Sequence, residues 1–307
     1  MNNSLIRLGL VGLGKIARDQ HLPAIAANPR FTLTATADPM GGLDGIASYA
    51  SLDAMLEARL ALDAIVLCTP PGVRAGLAHK ALQGGLHVML EKPPAAALSQ
   101  VDALVAAGQG RSMLATWHSR ESVAVDAAKA WLATRRVLSA RIDWREDVRV
   151  WHPGQDWLLD AGGFGVFDTA INAFSILTHI MPDALTLESA ELGIPANRQA
   201  PMTSTMVMRH GGAEVACNLS ILHPGPPQWD IAIDTDGGNL RLTQGGHRME
   251  IDGILQDIAP DAEYPRLYAR FASLIDAGLS DVDARPLTLV ADAMMLGRHH
   301  SLPSFEF

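Results

Sequence analysis

The segment Gly12-Leu13-Gly14-Lys15-Ile16-Ala17 constrains the fold of this 307-residue chain more than any other. It follows a short apolar run, residues 6–11, and opens a stretch, residues 16–27, with helix-like apolar spacing that Asn28-Pro29 ends. In a Gly-x-Gly-x-x-Ala turn the first glycine permits the sharp bend and the second lets the main chain approach a pyrophosphate. The alanine lets the helix pack closely on the strand. The helix N-terminus then faces the anion. Small residues suit any strand-to-helix turn, so the pattern gains its meaning from its place between a first strand and a first helix.

The same alternation continues. Residues 31–37, 64–68, 87–90 and 112–116 read as strands, and 52–59, 74–83 and 98–107 as helices. Strands alternating with helices imply a parallel sheet, so an α/β, doubly wound domain is expected over residues 1–118. After a helix at 123–132 the pattern changes. Residues 139–144, 204–209, 214–220, 229–235 and 239–243 read as strands joined by Gly-rich turns, which predicts a mostly antiparallel sheet in a second domain, residues 119–307. Helices are expected near 165–178, 264–277 and 287–298, the last a candidate to pack back on the first domain.

A net charge of -9 argues against a nucleic-acid surface. The N-terminal residues lack a basic region followed by an apolar stretch, and no apolar run reaches about 18 residues, which reads as a soluble, cytoplasmic protein without a membrane span. Cys68 and Cys217 have no metal-like spacing and read as buried free thiols, with neither a disulfide nor a metal expected.

Asp38 follows the second strand where an acid accepts hydrogen bonds from an adenosine ribose; with Pro39 it would also suit a strand-ending turn. A carboxylate there repels a 2′-phosphate, and Met40-Gly41-Gly42 supplies no arginine, so NAD is expected and NADP less favoured. Glu91-Lys92-Pro93-Pro94 brings a lysine to the tip of a buried strand, a position that also suits a plain solvated charge.

Taken in order, Gly12-x-Gly14-x-x-Ala17, Cys68-Thr69-Pro70, the run from Gly85 to Glu91-Lys92-Pro93, and Gly162-Gly163-Phe164-Gly165-Val166-Phe167-Asp168-x-x-x-Asn172 resemble the glucose-fructose oxidoreductase/inositol dehydrogenase/MocA family over essentially the whole chain. The resemblance implies an N-terminal Rossmann domain and a C-terminal α/β domain with a large open sheet, sugar-like substrates, and a catalytic or substrate-orienting role for Lys92. It also implies pairing of two copies through the exposed face of the second sheet, hence a homo-oligomer, with a dimer favoured. The cofactor set is then Gly12, Gly14, Lys15, Ile16, Asp38, Thr69, Pro70 and Glu91. Many members carry histidine four residues after the aspartate, where this chain has Asn172, and Thr69-Pro70-Pro71 replaces the common Thr-Pro-Asn. Residues four apart share a helical face, so Asp168 and Asn172 can address one ligand. Asparagine does not shuttle protons at neutral pH, which leaves acid/base work to Asp168 or Lys92.

Residues 115–120, the stretch Trp144-Arg145-Glu146-Asp147-Val148-Arg149-Val150-Trp151-His152-Pro153-Gly154-Gln155, and Asp168 with Asn172 are similar more narrowly to bacterial aldose 1-dehydrogenases that take D-galactose or L-arabinose. That likeness implies Glu146 and His152 as sugar ligands, together with Lys92, Asp168 and Asn172. Trp151, Gln155 and His118 join them as substrate-binding candidates, although His118 equally suits a structural role. Trp229 suits packing on a sheet better than covering a sugar face. The expected reaction is hydride transfer from the anomeric carbon, leaving an aldonolactone, with either Asp168 or Lys92 as the base. Inositol-type polyol oxidation, NAD-dependent glycoside cleavage and a non-catalytic sugar-sensing regulator are the competing readings.

Overall fold

Strands buried on both faces read as unbroken apolar runs, and Ala64-Ile65-Val66-Leu67 is such a run, each residue 0% exposed. In the computed structural model, which describes residues 4–260 and 262–307, it forms the centre of a six-stranded parallel sheet. The elements alternate as β1 (Ile6–Val11), α1 (Leu22–Ala27), β2 (Phe31–Ala37), β3 (Ala47–Tyr49), α2 (Leu52–Glu57), β4 (Ala64–Leu67), α3 (Pro71–Gln83), β5 (His87–Glu91), α4 (Leu98–Ala107) and β6 (Met113–Thr116). The strand order β3-β2-β1-β4-β5-β6 reverses beside β1, at the ends of β1 and β4, the switch point where doubly wound sheets bind ligands. The short strand β3 escapes the sequence pattern because Ala47-Ser48-Tyr49 has no buried face.

The chain then runs through α5 (Val125–Leu132), β7 (Val137–Arg145), α6 (Val148–Trp151), α7 (Phe167–Ile180), β8 (Leu185–Pro195), β9 (Thr203–His210), β10 (Ala213–Ser220), β11 (Gln228–Thr235), β12 (Gly238–Thr243), β13 (Arg248–Ile251) and β14 (Ile254–Leu255). It ends with α8 (Glu263–Ala277), α9 (Arg285–Leu296) and β15 (Arg298–Leu302). Two compact units result: residues 1–118 with 262–284, and residues 119–261 with 285–307.

The helix that joins the first unit is therefore α8, whereas α9, which occupies the stretch 287–298 read from sequence as a candidate to pack there, belongs with β15 to the second. The reason lies in the two apolar stripes. Tyr264, Leu267, Tyr268 and Phe271 of α8 recur at helical spacing and close a core with Leu8, Leu10, Ile25, Phe31 and Met89, where Tyr268 meets Phe31 edge-on at 5.2 Å. Full burial of such a side chain contributes about 1.5–3 kcal/mol, so these residues anchor α8 firmly. On α9 the stripe of Leu287, Leu289, Val290 and Ala293 is buried as the helix packs on α7 and β8. The opposite face of the parallel sheet is filled by Val11, Ile65, Leu67 and Val88 with Met55, Ala78 and Leu104.

The second unit is built on a nine-stranded, mostly antiparallel sheet ordered β14-β13-β12-β11-β7-β10-β9-β8-β15, in which β7 with β10 and β8 with β15 run parallel. Alternation along β7, β9 and β10 buries one face, with α7 packed against β7, while Arg141, Thr205 and Glu214 lie exposed on the other. The long strand β8 is hard to read from sequence because a register shift between Leu187 and Ser189 interrupts its period of two. Strand β15, Arg-His-His-Ser-Leu, lies at a sheet edge with no buried residue. Among the described residues no helix is long and apolar enough to cross a membrane. Cys217 is enclosed in β10, where burial pushes its thiol pKa up.

Candidate active site

The glycine turn has the form its sequence calls for. Gly12 takes φ +90°, and a Cβ there would stand 3.0 Å from the Cys68 main chain; at Gly14 an added Cβ meets nothing within 4 Å, so the outer side of the turn is open. Ala17, 0% exposed, begins a π-helical turn, Ala17–His21, that leads into α1. Lys15 pairs with Asp19 at the surface, and Ile16 packs on the core. Asp38, at the end of β2, accepts the Leu13 amide at 2.7 Å and the Met40 amide at 2.8 Å, so the acid is tied to the glycine turn and to its own Asp-Pro bend. Beyond β4, the Thr69 hydroxyl is buried without a hydrogen-bond partner among the described residues, next to exposed Pro70. An open turn, a fixed acid and an orphaned hydroxyl, all at the carboxyl ends of parallel strands, fit a dinucleotide.

Lys92 directly follows β5, and its bond to Pro93 is cis. The preceding Glu91, expected from sequence as a cofactor contact, turns its carboxylate inward instead. It is 3% exposed, faces His21 Nε2 at 3.0 Å, accepts the Tyr264 hydroxyl at 2.8 Å, and accepts the Lys92 amide at 2.8 Å. Tyr268 meets the other side of the His21 ring at 2.9 Å. Burial would raise the Glu91 carboxyl pKa, but the hydrogen bond and charge of His21, with the charges of His118 and Arg74, hold it well below the usual range. Burial likewise opposes charge on His21, and the polar groups of Cys68, Tyr268 and Glu91 overcome it and raise its pKa. Tyr268 is pushed up to about 12 by burial.

His118, a substrate-binding candidate from sequence, sits in this same unit. It bonds Glu263 at 2.8 Å and stacks on Tyr264 with ring centres 5.8 Å apart. Sequence reasoning missed His21, Arg74, Tyr264 and Tyr268. The only signal available was the four-residue spacing of the two tyrosines on an amphipathic helix, which reads as ordinary core.

In the second unit, β7 runs out into Glu146, whose amide bonds the Ser220 carbonyl at 2.9 Å. Its carboxylate is 3% exposed, accepts Trp229 Nε1 at 2.9 Å and lies 3.6 Å from His152 Nε2. His152 is delivered by α6, which Asp147 caps by accepting the Arg149 amide at 2.9 Å. The Trp151 ring meets that of Trp229 edge-on at 4.9 Å and remains 41% exposed, a flat apolar surface beside a buried acid. Gln155 lies half-buried in the following turn. Trp229, read from sequence as sheet packing, is thus also the hydrogen-bond partner of Glu146.

Asp168 stands in the first turn of α7, 6% exposed, with Asn172 one turn on and half-buried. The glycines before it fix that helix start. At Gly165, with φ +53°, an added Cβ would stand 2.1 Å from the Pro201 carbonyl, and at Gly163 it would stand 2.3 Å from that of Leu158. The Gly165 and Val166 amides bond the Leu158 and Pro201 carbonyls at 2.9 and 2.7 Å.

A doubly wound sheet with such a turn, a strand-end acid at Asp38 and a strand-end lysine at Lys92 defines an NAD-dependent oxidoreductase. Comparison with known proteins agrees: residues 6–117 match the GFO_IDH_MocA model, described as an oxidoreductase family with an NAD-binding Rossmann fold. Over 313 aligned residues the chain is 44% identical to a galactose 1-dehydrogenase of Pseudomonas fluorescens, with 98% of each covered. The crystal structure of a D-galactose-1-dehydrogenase from Rhizobium etli superposes with a TM-score of 0.95 at 48% identity, covering 100% of this chain and 99% of that one. A 3-ketoreductase from Actinomadura kijaniata shares the fold, with a TM-score of 0.86 at 19% identity over 98% of this chain and all of that one. The chain belongs to the GFO_IDH_MocA oxidoreductase family.

Proposed function

We propose that this protein is an aldose 1-dehydrogenase that oxidises the anomeric carbon of D-galactose-type sugars to the aldonolactone. The observation that carries the reading is the cluster of Glu146, His152, Trp229 and Trp151, a buried carboxylate and an imidazole beside the exposed Trp151 ring, which suits a ligand with several hydroxyls and an apolar face. The 44% identity to a galactose 1-dehydrogenase supports it.

Gly12, Gly14, Lys15 and Ile16 would hold the pyrophosphate of NAD and Asp38 its adenosine ribose, with Thr69 and Pro70 as further cofactor contacts. When bound, NAD supplies the hydride acceptor. Asp168 takes the proton from the C1 hydroxyl, Lys92 hydrogen-bonds that hydroxyl and stabilises developing negative charge, and Asn172 orients it. Glu146 and His152 hold further hydroxyls over Trp151, with Gln155 at the rim.

D-galactose, L-arabinose and D-fucose share ring stereochemistry from C1 to C4 and differ at C5, so all three are expected substrates. Initial rates of NAD reduction with these sugars, and with glucose, xylose and inositol as controls, test the assignment; turnover of inositol alone overturns it. Lys92→Met and Asp168→Ala should each lower kcat about 100-fold or more. Near-normal kcat in both would remove the proposed proton chemistry.

A further inference from the structure

Two buried ions grip the main chain around Lys92 from opposite sides. The guanidinium of Arg74, 3% exposed, donates to the carbonyl of Glu91 at 2.6 Å and also to those of Pro93 and Thr69. From the other side, the Glu91 carboxylate accepts the Lys92 amide at 2.8 Å. Both polar ends of the Glu91–Lys92 peptide are thus held by a charged group. The carboxylate is fixed in turn by His21 and Tyr264, and His21 by Tyr268.

Firmness alone does not call for ions here. Buried charges lose much of their attraction to desolvation, and apolar side chains of like volume often hold a segment as well or better. What ions add is direction, because charge-assisted hydrogen bonds are short and fix geometry. A guanidinium fork can span three carbonyls on two loops, a task that the single point of an ammonium does not perform. The loops it ties are those carrying Thr69 and Lys92, at the carboxyl ends of the adjacent strands β4 and β5.

We propose that Arg74 and Glu91 are positioning residues for the oxidation: they fix the main chain of Lys92 relative to the Thr69 loop and thereby aim its ammonium. The inference rests on the proposed role of Lys92 at the C1 hydroxyl. Both side chains are buried, so their effect is expected on the chemical step rather than on binding.

The test uses the full-length protein with Glu91→Gln, Arg74→Lys and Lys92→Met. Glutamine keeps the size of Glu91 and removes its charge; lysine keeps the charge of Arg74 and removes its fork. Displacement of a reacting group by about 1 Å can cost about 100-fold, so kcat should fall about 10- to 100-fold in the first two variants. In Glu91→Gln the sugar KM and the NAD Kd, read by protein fluorescence, should stay within about threefold of wild type. If Arg74→Lys does not fold, the isosteric Glu91→Gln decides alone. A kcat within about twofold of wild type in Glu91→Gln overturns the inference, and so does a fall in kcat that merely accompanies lost NAD binding and a lowered Tm. Lys92→Met separates the two levels. If it is inactive while Glu91→Gln is unaffected, only the positioning role fails; if it is fully active, the assignment of Lys92 fails and the positioning role with it.

Discussion

Replacing Trp229 by phenylalanine isolates one hydrogen bond at the proposed sugar site. The indole N–H reaches Glu146 Oε2 at 2.9 Å, and the carboxylate is 3% exposed, so water does not readily replace the lost donor. His152 Nε2, at 3.6 Å, stands beyond ordinary hydrogen-bond distance and does not hold Glu146 alone. A hydrogen bond to a charged group is worth about 1.5–3 kcal/mol. At about 1.4 kcal/mol per tenfold, that corresponds to about a 10- to 100-fold loss in kcat/KM for the sugar. Phenylalanine keeps most of the edge-on contact with Trp151, so the loss is assigned to the N–H. Because Glu146 is proposed to hold hydroxyls away from the reacting carbon, the loss should appear as a raised sugar KM with kcat little changed. Initial-rate kinetics with D-galactose at saturating NAD measures it, alongside Glu146→Gln as reference. A sugar KM within about twofold of wild type, while Glu146→Gln raises it strongly, would show that Trp229 does not orient the carboxylate.

At the cofactor turn, Asp38→Ala removes the acceptor of the Leu13 amide together with the ribose ligand, so kcat/KM for NAD should fall about tenfold or more and the preference over NADP should narrow. Equal use of the two cofactors by the wild-type protein would refute the role. Gly165→Ala forces a Cβ to 2.1 Å from the Pro201 carbonyl at φ +53° and should cost about 1–3 kcal/mol, seen as a lowered Tm with reduced activity through Asp168. An unchanged melting curve contradicts the packing argument. Stability should also depend on pH through the His21–Glu91 pair. The depressed Glu91 contributes stability that is present above its ordinary value of 4.5 and lost as pH falls, while the raised His21 contributes stability that is present below 6.5 and lost as pH rises through its raised value. Denaturant titrations across pH should show the acid limb flattened in Glu91→Gln, and identical pH curves for the two proteins would dismiss the pair as a source.

The parallel sheet was legible because β4 is apolar on both faces and most crossovers open or close on Gly or Pro. Gly12, Gly14 and Asp38 could be placed from spacing alone, since the turn and the end of the next strand lie within one βαβ unit. Lys92 could be placed at a strand end, but what holds it could not. Arg74 looks like any polar residue of an early helical turn, and its three acceptors are main-chain carbonyls, which no residue type announces. Glu91 illustrates the limit differently: the motif that contains it is plain, yet the direction of its side chain depends on tyrosines more than 170 positions later. In the second unit, the bulge in β8 and the polar edge strand β15 hid two strands, because the period of two holds only where one face is buried and the pairing is regular. The role of Trp229 was hidden because an indole reads as an apolar body, and its polar N–H counts only once its neighbour is known.

The return of α8 has a consequence for biosynthesis. In chain order, residues 119–261 are an insertion within the cofactor unit, and the helix that closes the core over Leu8, Leu10 and Met89 is made after that insertion. At about 5–20 residues per second, translation needs on the order of 10–30 s to travel from the end of β6 through α8. Through that interval one apolar face of the nascent sheet is covered by α1 alone and Glu91 lacks Tyr264. The first unit is therefore the first begun and not the first finished, so a fragment ending at residue 118 is expected to be a chaperone client, whereas one ending at residue 284 contains everything its core requires.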